Sequence, residues 1–188
     1  MNEFIPILFT LGLCCLLSCN TTPSTPPKDT IEVKKSANED DLLVNLAAAL
    51  ITNPKTQAER DKNKIINYMM DEGIELEQTP SGLYYQIIEE GVGEKATWAD
   101  WVTVNYKGYT LDGKIFDSSY KKGKPIEFYI GNMISGWNEG LQLMKPTGKA
   151  LFLVPSNLAY GEKGFKKIIP PNTTLAFEVE LLEVRKEK

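Results

Sequence analysis

Residues 102–119 read Val102-Thr103-Val104-Asn105-Tyr106-Lys107-Gly108-Tyr109-Thr110-Leu111-Asp112-Gly113-Lys114-Ile115-Phe116-Asp117-Ser118-Ser119. Val102, Val104 and Tyr106 alternate with the polar Thr103 and Asn105, the period of two expected of a strand with one buried face. Asp112-Gly113 is a turn signal that folds such a strand back on a neighbour. The alternation recurs on both sides. Leu83, Tyr85 and Ile87 alternate with Tyr84, Gln86 and Ile88, Leu151 and Leu153 alternate with Phe152 and Val154, and Leu175, Phe177, Val179 and Leu181 form the last row. A helical period intervenes over 137–144, where Trp137, Leu141 and Met144 share a face. The pattern predicts an α+β domain over 74–188, with a curved antiparallel β-sheet of half-buried strands wrapped on one short helix.

Upstream, the chain predicts a helical N-terminal extension over 39–73. Leu42, Leu43, Leu46, Ala49 and Leu50 recur at helical spacing between Glu39 and Ile51, and Thr52-Asn53-Pro54 breaks the run. Asn53 is placed to cap a second helix with Pro54 at its first position, running to Glu72 and stopping at Gly73. This pair can form a homodimer or dock on the main domain, and docking is the preferred reading. Residues 19–38, with Pro23, Pro26 and Pro27 among Thr and Ser, read as a flexible tether.

The apolar run from Phe4 to Leu17 is shorter than the ~20 residues a membrane-spanning helix needs. It ends in Leu16-Leu17-Ser18-Cys19, which resembles the bacterial lipobox. A signal peptide over 1–18 and lipid on Cys19 follow from that resemblance, although residues 1–13 lack the basic residues of an ordinary signal peptide. Several acyl chains, each buried CH₂ contributing ~0.8 kcal/mol, make a stable anchor. The expected location is the cell envelope, lipid-anchored to a bacterial membrane and facing the periplasm.

Composition narrows the chemistry. There is no histidine among the 188 residues, which excludes Ser-His-Asp and Cys-His catalysis and histidine-containing metal sites. Cys14, Cys15 and Cys19 all lie in the leader region, so the folded part has neither thiol nucleophile nor disulfide. A net charge of −4 offers no footprint for nucleic acid. Carboxylates, aromatics and backbone remain.

Five segments in series resemble the FKBP-type peptidyl-prolyl cis–trans isomerases. They are Val104 to Gly108 with Asp112 to Ser119; Gly136-Trp137-Asn138-Glu139-Gly140-Leu141; Ala159-Tyr160-Gly161; Ile168 to Leu175; and Phe177-Glu178-Val179-Glu180-Leu181. Thr79-Pro80-Ser81-Gly82-Leu83 after a helical pair also resembles the gliding-motility-associated FKBP-type lipoproteins. The resemblance implies a pocket with Trp137 as floor, Tyr106, Phe116 and Phe177 as walls, and Asp117 at the mouth accepting from the Tyr106 hydroxyl. It implies Met133 and Ile134 at one edge, with the Ile134 N–H offered to a substrate carbonyl. Tyr160 stands at the rim as a donor, with Ile169, Ile126 and Phe165 as further substrate contacts. No cofactor or metal is implied; the partners are proline-containing exported polypeptides.

Three positions depart from the family pattern. Ile126 replaces a frequent aromatic, the segment between Gly131 and Trp137 is about two residues short, and Phe165 within Lys163–Lys167 makes the overhanging loop aromatic and basic. Singly, each pocket residue is equally at home in a plain core or turn. Two alternatives to an isomerase therefore stay open: a proline-peptide-binding chaperone module without turnover, and a receptor for some small ligand.

Overall fold

The computed structural model describes residues 31–186. The expected signal peptide, Cys19 and the first part of the tether lie outside the described residues. The extension forms two helices, α1 (Glu39–Ala49) and α2 (Gln57–Glu72). The sheet contains β1 (Glu77–Gln78), β2 (Tyr84–Glu89), β3 (Trp101–Thr110), β4 (Ile115–Ser118), β5 (Ile126–Tyr129), β6 (Lys149–Val154) and β7 (Leu175–Arg185). Two further helices, α3 (Ser119–Lys122) and α4 (Ser135–Leu141), interrupt the strands. Every strand pair is antiparallel, in the order β1-β2-β6-β7-β3-β4, with β5 also on β3. This is the expected α+β architecture.

Strand β3 organises the sheet. One edge pairs with β7 along its whole length, from Trp101↔Arg185 to Thr110↔Leu175. The other edge is shared: Trp101 to Val104 pair with β5, and Lys107 to Tyr109 pair with β4. Between them the Ser119 hydroxyl accepts from the Tyr106 N–H at 2.9 Å and itself donates to Asn105 Oδ1 at 3.1 Å. A side chain thus satisfies a strand edge that no strand covers.

The inner face of the sheet curls around α4. Val102, Val104, Tyr106, Phe152, Val154, Leu175, Phe177 and Val179 close on Trp137, Leu141 and Met144 in one buried cluster. The helix can approach β6 because Gly136 and Gly140 lack side chains. A Cβ at Gly136 would stand 2.5 Å from Val154 Cγ1, and one at Gly140 2.8 Å from Phe152 Cζ. The helix begins at Ser135 and ends at Leu141, earlier at both ends than the 137–144 expected from periodicity; Met144 remains buried in the turn that follows.

The outer face differs from the half-buried expectation. Leu151, Leu153 and Ala176 point away from α4 and are still fully buried, because the extension docks over them. Leu42 and Leu46 of α1 and Ile65, Ile66 and Met69 of α2 form a second cluster with Ile74, Leu76, Tyr84 and Tyr109. The helices thereby use their apolar stripes within the chain. Leu43, expected on that stripe, is 39% exposed.

Two other local expectations change. Helix α2 starts at Gln57 rather than after Asn53, because Thr56 and Glu59 form a reciprocal capping box that outcompetes the Asn53-Pro54 signal. Residues 31–38, expected within a flexible tether, run along the domain: the Ile31 N–H donates to Glu178 and the Lys34 N–H to Gln86. Gly73 ends α2 in the left-handed conformation, as its position suggested.

Docking of this kind makes a stability prediction. Ile65→Ala removes a fully buried side chain between extension and sheet, and equilibrium urea unfolding should show a loss of about 2–5 kcal/mol. Leu43→Ala, on the solvent side of α1, should change stability by less than about 0.5 kcal/mol. Equal effects would mean that the hairpin is not packed as described.

Candidate active site

The cavity lies where β3, β4, α4 and β7 meet the loop after β6. Tyr106, Phe116, Asp117, Met133, Ile134, Trp137, Tyr160 and Phe177 line it, around a small space of about 60 Å³. Trp137, 2% exposed, forms the floor. Tyr106 and Phe177 meet it edge-on, with ring centroids at 5.2 and 5.3 Å, and Phe128 packs beneath at 5.7 Å. Phe116 stands edge-on to Phe177 at 5.7 Å. Edge-to-face contacts fix ring planes as well as positions, so the cavity walls are stiff.

Gly108 sets how closely those walls approach. A Cβ there would lie 2.8 Å from Phe116 and 2.9 Å from Phe177. The strand backbone itself is therefore the back of the aromatic wall.

At the mouth, the Tyr106 hydroxyl donates to Asp117 Oδ2 at 2.6 Å. Lys122 Nζ reaches Asp117 Oδ1 at 2.5 Å and lies 3.3 Å from the Tyr106 oxygen. Burial pushes the Asp117 carboxyl up, but Lys122, Tyr106 and the Ser118 N–H outweigh it and hold the group below the ordinary Asp range. Tyr106 is pushed up to about 12, first by burial and then by the carboxylate that accepts its proton. Around neutral pH the mouth therefore holds a charged carboxylate and a neutral phenol. Asp117 is a poor proton carrier here: its carboxylate is fully engaged.

The opposite edge depends on Asn138. Its Oδ1 accepts from the Gly131 N–H at 2.9 Å and the Met133 N–H at 3.3 Å, and its Nδ2 donates to the Met133 carbonyl at 2.7 Å. One buried amide thus braces the segment from Gly131 to Met133. The Ile134 N–H, immediately before α4, has no acceptor among the described residues. The Tyr160 hydroxyl likewise makes no hydrogen bond there, and burial followed by the nearby Asp117 charge raises its pKa, so it is a protonated donor. The buried Trp137 indole N–H is also unpaired. A buried unpaired donor costs about 1–3 kcal/mol, and this one sits in the cavity floor rather than in the framework.

Eight residues singled out from the sequence are brought together here, and three are not. Ile126 is on β5 opposite Val104, packed against the inner core. Ile169 is 2% exposed inside that core. Phe165 lies outside the lining and packs against the Tyr160 ring, with 4.8 Å between ring centroids. The reading missed Lys122 and Asn138. Asn138 stood inside a quoted motif, but nothing in its spacing indicated that its amide turns back to residues 131–133. Lys122 follows Asp117 by five residues, a separation that only the single turn of α3 brings together.

A titration checks the mouth. Because Asp117 binds its proton less tightly folded than unfolded, its stabilisation is complete above the ordinary Asp range near pH ~3.9 and is lost as pH falls through its lower folded value. The carboxyl carbon shift of Asp117, followed by NMR, should titrate below the ordinary value, and Lys122→Met should move the midpoint upward. No movement would remove Lys122 from the mouth.

The chain matches the family described as FKBP-type peptidyl-prolyl cis–trans isomerase over residues 92–182. It is 38% identical over 167 residues to a probable FKBP-type peptidyl-prolyl cis–trans isomerase of Haemophilus influenzae, covering 84% of this chain and 69% of that one. Against FkpA of Escherichia coli it is 46% identical over 118 residues, 63% of this chain and 43% of FkpA. The FkpA crystal structure superposes with a TM-score of 0.62 over 78% of this chain and 64% of that one. The outer membrane protein MIP of Legionella longbeachae is 46% identical over 107 residues, 57% of this chain and 46% of MIP. The sequence matches thus span less than half the length of FkpA and of MIP. Its fold, its motifs and these likenesses agree: the chain belongs to the FKBP-type peptidyl-prolyl cis–trans isomerases.

Proposed function

We propose that this chain accelerates X–Pro isomerisation in exported polypeptides at the cavity over Trp137, held at a bacterial membrane by lipid on Cys19. The observation that carries the catalytic reading is the convergence of eight side chains on one apolar hollow, with the Tyr160 hydroxyl and the Ile134 N–H both free to donate.

Rotation about the peptide bond faces a barrier of ~18–20 kcal/mol from amide resonance. For X–Pro the two isomers differ by only about 1 kcal/mol, so the barrier is the obstacle. Twisting the bond removes the resonance and makes the carbonyl less polar. A dry aromatic hollow stabilises that twisted species relative to the planar, more polar amide. In this reading Trp137 carries the proline ring, Tyr106, Phe116 and Phe177 hold it, and Met133 closes the edge. Tyr160 and the Ile134 N–H anchor substrate carbonyls on either side, so that rotation occurs about one bond. Asp117 keeps Tyr106 in place and stays ionised. The route needs no nucleophile, metal or titrating base.

Residues 1–18 are the proposed signal peptide, and the extension is proposed to carry the domain over the membrane rather than to pair two chains. The outer-membrane name of the Legionella relative supports a cell-envelope location. Metabolic labelling with an alkyne fatty acid should mark the wild type and fail to mark Cys19→Ser; equal labelling would remove the anchor from Cys19.

A protease-coupled prolyl isomerisation assay tests the catalytic reading. The chain should accelerate exchange, and Asp117→Val and Phe177→Ala should each lower kcat/KM by roughly tenfold or more. A folded but inactive wild type that still binds proline peptides would make it a binding module.

A further inference from the structure

The extension contains a fully buried carboxylate that the isomerase chemistry does not use. Asp61 of α2 has zero exposure. Its Oδ2 accepts from the Ser156 N–H at 2.9 Å and from the Ser156 hydroxyl, and its Oδ1 accepts from Gln57 Nε2 at 2.7 Å. A carboxylate removed from water in this way is retained only where its acceptors are filled, and three donors fill them here.

Ser156 is itself 1% exposed and opens the 3₁₀ turn Ser156–Leu158 directly after β6. Four residues later the chain reaches Tyr160, at the rim of the cavity. A second link returns from the far side of the same loop. The Asn172 N–H donates to the Gly161 carbonyl at 2.8 Å, the Lys64 ammonium lies 3.5 Å from the Asn172 carbonyl, and it stands 3.6 Å from Asp61. The circuit from Asp61 through Ser156, Tyr160-Gly161, Asn172 and Lys64 closes on α2. Both ends of the segment that carries Tyr160 are therefore tied to one turn of the extension, while the Tyr160 hydroxyl has no partner of its own.

We propose that Asp61 is a positioning residue for isomerisation, acting through Ser156 to hold the Tyr160 hydroxyl over the cavity. The docked extension then contributes to turnover as well as to stability. A donor must sit within a fraction of an ångström of its acceptor to favour one rotation coordinate, and loosening the root of its loop weakens that bond without changing the cavity floor. This inference rests on the isomerase reading of the cavity, and the test separates the two.

The test is a double-mutant cycle on the full chain, with kcat/KM for a Leu-Pro peptide measured at 10 °C after circular dichroism has shown each variant folded. Asp61→Ala and Tyr160→Phe should each lower kcat/KM about tenfold, and the double variant should fall no more than about twofold below Tyr160→Phe alone. Asp61→Asn keeps an acceptor for Ser156 and should recover most of the activity. Ser156→Ala, which leaves the backbone link intact, should lose about threefold and show the same non-additivity with Tyr160→Phe; it serves if Asp61→Ala fails to fold. Asn63→Ala breaks the bonds to the Ile51 backbone within the extension and should lower the melting temperature while leaving kcat/KM within about twofold of the wild type. Effects of Asp61 and Tyr160 that multiply, or an Asp61→Ala protein as active as the wild type, would overturn the positioning role while the isomerase reading stands. An inactive wild type would remove both.

Discussion

Trp137 is the residue around which this domain is arranged. It occupies the centre of the curled sheet, touches rings from β3, β5 and β7, and is held there by a helix too short to stand without those contacts. Its burial has two consequences. The sheet must curve to enclose an indole, and the enclosure cannot close completely on the side where Met133 and Ile134 pass. The opening left between those residues and the Tyr106–Phe177 wall is the cavity. Core and proposed catalytic surface are thus the same set of side chains, so few substitutions there can alter one without the other.

The second layer has a different logic. An antiparallel sheet of this size can leave its outer face to water, but β6 and β7 present Leu151, Leu153 and Ala176 outward. The extension covers them. Once the helices are docked for that reason, polar contacts between layers become available that a solvated face could not support. Asp61 to Ser156 is one. The bond from the Ile31 N–H to Glu178, whose carboxylate also pairs with Lys107 on the neighbouring strand at 2.8 Å, is another. Both tie the N-terminal part of the chain to strands or loops that also shape the cavity.

Much of this could be read from residues alone, and the remainder has identifiable causes. Alternation over 102–106 and 175–181, the turn at Asp112-Gly113 and the family-like motifs were enough for the sheet, the central helix and the aromatic group over Trp137. These are short-period signals in which one residue's neighbours decide its face. What escaped depends on distant partners. Alternation cannot reveal that the outward Leu151 and Leu153 are covered, because the cover comes from helices about a hundred residues earlier. The start of α2 escaped because two adjacent cap signals competed and the reciprocal Thr56–Glu59 pair prevailed. Asn138 and Asp61 are polar residues whose partners are fixed only by the folded path, and neither lies in a pattern that marks it. Ile126 and Ile169 carry apolar side chains that the inner core takes up, so family position alone did not bring them to the cavity.

The central claim is that proline-containing chains turn over on the floor formed by Trp137. The most direct measurement is two-dimensional NMR of the ¹⁵N-labelled protein with a short Leu-Pro peptide, recording protein shifts and peptide cis–trans exchange in one sample. The account predicts that the Trp137 indole, the Ile134 amide and the amides around Tyr160 shift together as exchange cross-peaks appear for the peptide. Exchange without those shifts, or shifts confined to residues away from the cavity, would place the chemistry elsewhere and contradict it.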